Sequence, residues 1–446
     1  MFRRVLIANR GEIALRIARS CRALGVESVI VYSAADRGAP WLRAADRTVC
    51  IGPARAEASY LDADAILQAA EQTECQAVHP GYGFLAENAL FATRCAAAGL
   101  SFVGPPPEAI RRLGDKVAAK RTMAAAGLPT IPGSEGEVPD LPTARRVAAE
   151  IGYPVLLKAA SGGGGRGMRR CGSERELAAG FAAAALEAGK AFGDPALYLE
   201  KLIEGGRHVE FQVLADAFGD AIHLGERECS VQRKHQKLIE EAPSPAVDAE
   251  TRSTLGARVA AAVAGAGYRN AGTVEFLRDS AGRFYFMEMN TRLQVEHPVT
   301  EAITGLDLVA EQLRIAALEP LGRRQEQVAF RGHAFEFRIN AEDPAADFRP
   351  DPGRIEALRV PPGVRWDSAA EAGWRIPPQY DSLIGKLIVH AADRPRALAA
   401  AATALGQLAV EGVHTTLPLH RRLLEDPGFR AGRYDLDLLA QVTARG

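Results

Sequence analysis

Between residues 287 and 301 the chain reads MEMNTRLQVEHPVTE, which places Glu288, Asn290, Arg292, Gln294 and Glu296 at every second position. In an extended segment those five side chains face one way. Two carboxylates, a carboxamide and a guanidinium on one face are costly to bury without partners. The row therefore requires a fold that supplies partners. It reads as the lining of a site for metal ions, an anion and a proton acceptor, not as a purely structural strand.

The 446 residues are enough for two or three domains with a large core. A formal net charge of -1 gives no electrostatic case for nucleic acid or a membrane surface as partner. No apolar run approaches the roughly 18 residues of a membrane span, and the apolar part of MFRRVLIANR is too short for a signal peptide. Cys21, Cys50, Cys75, Cys95, Cys171 and Cys229 include no C-x-x-C pair. They read as reduced thiols of a cytoplasmic protein with no zinc site, and Cys229 as a small buried hydrophobe.

The chain reads as α/β. Residues 5–8 and 29–32 look like strands flanking a helix, with Ile13, Ile17 and Leu24 inward and Arg16, Arg19 and Arg22 outward. Strand, helix, strand at this spacing implies parallel pairing, and no GxGxxG marks a dinucleotide site. HPGYGFLAEN (79–88) and FVGPPPEA (102–109) place Gly and Pro where strands hand over to helices. A helix is predicted over 116–126. Strand-like runs at 333–339 and 383–390 and an Ala-rich helix over 395–408 mark the last part of the chain.

SGGGGRGM (161–168) carries Gly163, Gly164, Gly165 and Gly167 before Met168. Such a run lets backbone amides form a nest for phosphate oxygens. It lacks the Lys-Ser/Thr ending of a P-loop and lies between strand-like segments, so a lid over phosphates is expected. Lys158 and Lys116 are candidate point charges for those phosphates. Residues 198–203 read as a strand edge offering backbone groups and the Glu200 carboxylate to an adenine ring. His208, Glu210 and Gln212 alternate with Val209, Phe211 and Val213, as in a half-exposed sheet. Residues 272–277 and 284–290 read as a hairpin that brings Glu275, Glu288 and Asn290 to one face, a set of oxygens suited to Mg²⁺.

Taken together, these residues resemble the biotin carboxylase family of the ATP-grasp superfamily over nearly the whole chain. The resemblance rests on IANRGEIALRI (7–17), HPGYGFLAEN, GDKVAAK (114–120), the glycine run, RHVEFQVLAD (207–216), ECSVQRKHQKLIEEAPSP (228–245), MEMNTRLQVEHPVTE, FRINAEDP (337–344) and YDSLIGKLI (380–388). It implies three domains: a Rossmann-like parallel-sheet domain over 1–114, an ATP-grasp domain over 115–327 with a lid at about 131–203, and a C-terminal domain over 328–446. It implies the first half-reaction of acetyl-CoA carboxylase or a related acyl-CoA carboxylase, in fatty acid biosynthesis. ATP would phosphorylate bicarbonate to carboxyphosphate, which then carboxylates biotin.

By the same resemblance Lys116, Lys158, His208, Gln232, His235, Met168 and the glycines hold ATP, with Glu200 and Lys201 at the adenine. Glu275, Glu288 and Asn290 ligate Mg²⁺ or Mn²⁺, two sites being implied. Lys237, Arg292, Gln294 and Val295 hold bicarbonate and Glu296 is the base. Arg338 steadies the biotin enolate and Tyr82 lies against the biotin ring. Because the backbone of Val295 is used, the strand is expected to bend there. Lys234, the FRPDPG string (348–353) and Trp41 depart from the usual pattern and are expected to bear on surface or subunit contacts.

None of the five methionines adjoins a lysine, so no biotinylation motif is seen. The expected partners are a separate biotin carboxyl carrier protein, a second copy of the chain as a homodimer, and a carboxyltransferase subunit. Two other readings stay open. A carboxylate–amine or carbamoyl-forming ligase would share the lid but has no use for Arg338 with the HQK string. A catalytically dead homologue should lack one of Lys158, Glu288, Arg292 or Glu296, and all four are present.

Overall fold

The computed structural model describes residues 1–160 and 168–445; Gly163, Gly164, Gly165 and Gly167 lie outside the described residues. The chain opens with β1 (Arg4–Ile7), α1 (Gly11–Ala23), β2 (Glu27–Ser33), β3 (Arg47–Gly52), α2 (Ala63–Gln72), β4 (Ala77–His79), α3 (Ala89–Ala97), β5 (Ser101–Phe102) and α4 (Pro107–Gly114). The five strands form a parallel sheet in the order β3-β2-β1-β4-β5. Chain direction across the sheet reverses between β1 and β4, and open α/β sheets bind ligands beyond the strand ends at such a point. The turns after β1 and β4 carry Asn9 and Tyr82. Asn9 Nδ2 donates to the carbonyls of Pro80 and Tyr82, both at 2.7 Å. Gly81 between them has φ +64, and a Cβ there would lie 2.8 Å from Asn9 Nδ2.

Asp115 accepts from the Ala118 amide and so caps α5 (Lys116–Ala125), which places Lys116 at the first helical position. Then come α6 (Leu141–Ile151), β6 (Val155–Ala159), β7 (Met168–Cys171), α7 (Glu174–Phe192) and β8 (Leu197–Lys201). Their antiparallel sheet, β7-β6-β8, leaves β8 on an edge. This unit has its own core, including Val147, Leu157, Leu177 and Leu199.

The largest sheet is built from β9 (Arg207–Ala215), β10 (Ala221–Arg233), β11 (Gln236–Ala242), β12 (Asn270–Arg278) and β13 (Phe284–Asn290), with α8 (Ala249–Gly265) between β11 and β12. Helices α9 (His297–Thr304) and α10 (Leu308–Ala316) follow. The last part supplies β14 (His333–Asn340), short β15 (Glu342–Asp343), β16 (Arg349–Pro350) and β17 (Ala357–Arg359), then β18 (Arg365–Ser368), β19 (Leu383–Ala391) and α11 (Arg394–Gln407). Eight strands run continuously as β13-β12-β9-β10-β11-β14-β19-β18. The sheet thus crosses the expected boundary at residue 328 without a break, through the β11–β14 ladder.

Several local expectations are corrected. The alternation on β9 does not mark a half-exposed sheet, because all nine residues are buried. Val209, Phe211 and Val213 pack with Val259, Val263 and Phe276 in one apolar layer, while the polar set faces an enclosed charged cluster. The row from Glu288 to Glu296 is not one strand. β13 ends at Asn290, and Glu296 is already the N-cap of α9, whose first turn holds Pro298. Arg16 does not face outward: it is buried between Glu301 at 2.6 Å and Asp307 at 2.7 Å. Trp41 is core, 2% exposed, and so is no surface residue.

Three buried histidines make the fold acid-sensitive. Burial pushes His79 down to about 3, and His223 and His420 down to about 4, from 6.5. Between those values and 6.5 the unfolded chain binds protons that the folded chain refuses, so stability rises with pH there and is lost on acidification. The urea midpoint is expected to fall as pH drops from about 6.5 to about 4. His420→Gln, which can still donate to the Arg338 carbonyl, should remove about one proton from that slope. A flat midpoint over this range would contradict neutral burial.

Candidate active site

The site lies where the polar face of the large sheet meets the turns of the N-terminal sheet and the edge of β8. Its centre is Lys237 on β11. The ammonium lies 2.5 Å from Glu210, 3.0 Å from Glu275 and 2.6 Å from Glu296. Burial disfavours its charge, but those three carboxylates overcome this and push the ammonium well above its ordinary range. Glu210 is also held by Arg227, which is fully buried and donates to Glu210, Gln212, Thr300, Thr273 and Gln294.

Glu296 is 2% exposed. Arg338 on β14 donates to its second oxygen at 2.8 Å and to Glu240 at 2.7 Å. Burial alone would raise the Glu296 carboxyl; Lys237 and Arg338 together hold it well below the usual carboxylate range. Burial, reinforced by the Glu296 charge, pushes Glu240 up to about 7 despite Arg338. Glu336, beside Glu240 across the β11–β14 ladder, is raised well above the carboxylate range by burial. Neither of its oxygens has a hydrogen-bond partner among the described residues. Two carboxyls that burial pushes upward, Glu240 and Glu336, therefore lie near Glu296.

Glu275 pairs directly with Glu288 across β12 and β13, because one extra residue, Met287, bulges out of β13. Glu275 Oε1 accepts from Lys237, from Asn290 at 2.8 Å and from Gln294 at 2.8 Å. Its other oxygen lies 3.1 Å from His208 Nε2, whose second ring nitrogen meets Gln232 at 3.2 Å. Arg292 reaches Glu87 at 3.0 Å and Asn290 at 3.0 Å. Both ends of the Gln294 carboxamide are already engaged, by Arg227 and Glu275.

On the lid side, Lys158 donates to Glu200 at 2.5 Å and Lys120 lies 3.1 Å from the same carboxylate. Burial works against the Lys158 charge, but Glu200 raises the group to about 12. Lys116 is 3.6 Å from Glu288. A cleft of about 510 Å³ runs between α5 and β8, lined by Lys116, Lys120, Tyr198, Glu200 and Met287. Lys201 points out of this cleft and donates to the carbonyls of Gly152 and Tyr153. His235 sits exposed at the tip of the β10–β11 hairpin, where Lys234 and His235 have φ of +47° and +67°. Met168 opens β7 opposite Lys158. Tyr82 bonds through its hydroxyl to Glu12, and the Val295 carbonyl accepts from Lys386 at 2.8 Å.

Each cation assigned to an anion by sequence is thus paired with a carboxylate here: Lys158 with Glu200, Lys116 with Glu288, Arg292 with Glu87, Lys237 and Arg338 with Glu296. Sequence reasoning gave no role to Glu87, Lys120, Arg227, Glu240, Glu336 or Lys386. Glu87 and Lys120 lie inside motifs already singled out, and their polar type was the available signal. Glu240 and Lys386 also lie inside quoted motifs, whereas Arg227 and Glu336 stand on strands outside them.

Comparison with known proteins follows the same three parts. Family models match as "Biotin carboxylase, N-terminal domain" over residues 1–110, "Carbamoyl-phosphate synthase L chain, ATP binding domain" over 115–324 and "Biotin carboxylase C-terminal domain" over 336–441. The chain is 53% identical to a biotin carboxylase of Nostoc sp. over 443 residues, 99% of each chain. It is 50% identical to a pyruvate carboxylase subunit of Methanothermobacter thermautotrophicus, covering 97% of this chain and 88% of that one. Among solved structures, the biotin carboxylase domain dimer of Hydrogenobacter thermophilus 2-oxoglutarate carboxylase, in complex with MgADP, ADP and bicarbonate, superimposes with a TM-score of 0.96 at 48% identity over 99% of both chains. A biotin carboxylase from Campylobacter jejuni gives 0.96 at 46%, again over 99% of both.

Proposed function

Since the chain belongs to the biotin carboxylase family of ATP-dependent ligases, we propose that it carboxylates biotin held on a separate carrier protein, using ATP and bicarbonate. The observation that carries this reading is the convergence of Lys237 and Arg338 on the ionised Glu296. Such a group can accept a proton from an anion that the same two cations bind.

Lys116, Lys158, His208, Gln232, His235, Met168 and the flap glycines would hold ATP, with Glu200 and Lys201 at the adenine. Lys201, its side chain pinned to Gly152 and Tyr153, would contribute through its backbone. Bicarbonate is planar, so the fork of Arg292 suits it once Glu87 is released. Lys237, Gln294 and Val295 complete its cradle. Glu296 takes its proton, an oxygen then attacks the γ-phosphorus, and ADP leaves. Carboxyphosphate would break down to phosphate and CO2, the phosphate would take the ureido proton of biotin, and the nitrogen so freed would attack the CO2 carbon. Arg338 would steady the enolate of biotin, and Tyr82 would lie against the ring.

Glu275, Glu288 and Asn290 form a hard-oxygen set that fits Mg²⁺ or Mn²⁺. Glu288 is the open member, half-exposed and bound only loosely by Lys116. The ions would supply charge neutralisation to the phosphates. A carrier protein, a second copy of this chain and a carboxyltransferase complete the proposed assembly. The acyl acceptor, acetyl-CoA or another, would be chosen by the carboxyltransferase.

Bicarbonate-dependent ADP release stimulated by free biotin is the expected result. ATP binding without biotin stimulation would sink the proposal in favour of a ligase with another acceptor.

A further inference from the structure

Lys386 is fully buried on β19 and has no part in the roles above. Its ammonium donates to the Val295 carbonyl at 2.8 Å and lies 3.0 Å from Glu12 Oε1. The same oxygen accepts the Tyr82 hydroxyl, and Glu12 Oε2 has no hydrogen-bond partner among the described residues. One carboxylate oxygen on α1 therefore ties the residue next to the base to the residue expected against the acceptor. The link joins three parts of the chain: the N-terminal sheet, the turn after β13 and the last strands of the large sheet.

Stability is a poor reason for this arrangement, because a buried ion pair is often no better for folding than apolar residues of similar volume. Placement is a better one. Val295 immediately precedes Glu296, so a fixed Val295 carbonyl fixes the backbone from which the base projects. Tyr82 is held twice, through its own carbonyl by Asn9 and through its hydroxyl by Glu12. A displacement of about 1 Å between reacting groups can cost on the order of 100-fold in rate.

We propose that Lys386 and Glu12 are positioning residues for carboxyl transfer, setting the base-bearing turn and the acceptor-side Tyr82 in one fixed geometry. This rests on the proposed biotin-carboxylating activity. Loss of the link should therefore separate ATP cleavage from acceptor carboxylation, and leave nucleotide binding alone.

The test compares Tyr82→Phe, Glu12→Ala, Glu12→Gln and Lys386→Met with wild type. The readouts are KM for ATP, bicarbonate and free biotin, and carboxybiotin formed per ADP. Tyr82→Phe and Glu12→Ala should raise KM for biotin and lower carboxybiotin per ADP by about 10-fold, the loss of one charge-assisted hydrogen bond, with KM for ATP within about twofold. Lys386→Met should add a rise in KM for bicarbonate. Glu12→Gln, which can accept both hydrogen bonds, should recover most of the coupling. Should Lys386→Met fail to fold, Tyr82→Phe, which removes a single oxygen from a half-buried side chain, carries the test. Wild-type coupling in Tyr82→Phe and Glu12→Ala, or an equal rise in all three KM values, would overturn the proposal. A wild-type enzyme that cleaves ATP without any response to biotin would instead overturn the activity on which it rests.

Discussion

Glu296→Gln is expected to lower turnover by about 10²–10⁴-fold while ATP affinity stays within about twofold of wild type. The carboxamide keeps the shape of the side chain and can still accept from Lys237 or Arg338, but it cannot take a proton. Both oxygens of Glu296 are engaged by cations, which hold the carboxyl well below the usual carboxylate range. It is then a weak base. On the proposed reading, bicarbonate would draw Lys237 and Arg338 toward itself and so raise the basicity of Glu296, coupling anion binding to base strength. Steady-state ATPase with bicarbonate and biotin, set beside nucleotide binding by calorimetry, separates the two effects. Turnover within a few-fold of wild type would remove Glu296 as the base.

Arg227→Met should cost about 3–5 kcal/mol, because it takes from the fully buried Glu210 one of its cationic partners and leaves Lys237 to hold it. That is a large share of the roughly 5–15 kcal/mol that holds a typical domain together. Arg227 donates to five side chains on β9, β12, α9 and the turn between β13 and α9. Lysine has no planar fork and cannot replace these contacts. The expected result is a lowered urea midpoint, or insoluble protein, for both Arg227→Met and Arg227→Lys. Removing the Glu210 charge as well, in Glu210→Gln/Arg227→Met, should recover part of the loss, since the pair is coupled. A single variant with a wild-type midpoint would show that Arg227 is not the support the geometry indicates.

How much of this was legible beforehand differs from residue to residue. The hairpin bringing Glu275 to Glu288 could be read from its alternation and turn, but the bulge at Met287 could not, since one extra residue leaves no periodic trace. The polar face of β9 was visible as a pattern. Whether it faced water or a second charged layer depended on Arg227 and Lys237, which arrive from neighbouring strands. Arg16 looked like one of three exposed arginines on a helix; only Glu301 and Asp307, some 290 residues away, turn it inward.

The sequence by itself determined which chemistry the chain carries: the strand–helix–strand opening, the glycine run, the lysines beside it, and the five polar residues from Glu288 to Glu296. These are local patterns, and local spacing sets which side chains share a face or a turn. Only the tertiary structure decided how that row is used. β13 stops at Asn290 and the chain turns into α9, so Arg292, Gln294 and Glu296 do not extend a strand. Gln294 and Glu296 meet Lys237, Arg338 and Glu275 because strands distant in the sequence lie side by side in one sheet, while Arg292 reaches Glu87 of the N-terminal part. Pairing of buried charge is set by such long-range neighbours, and no short window of sequence contains them.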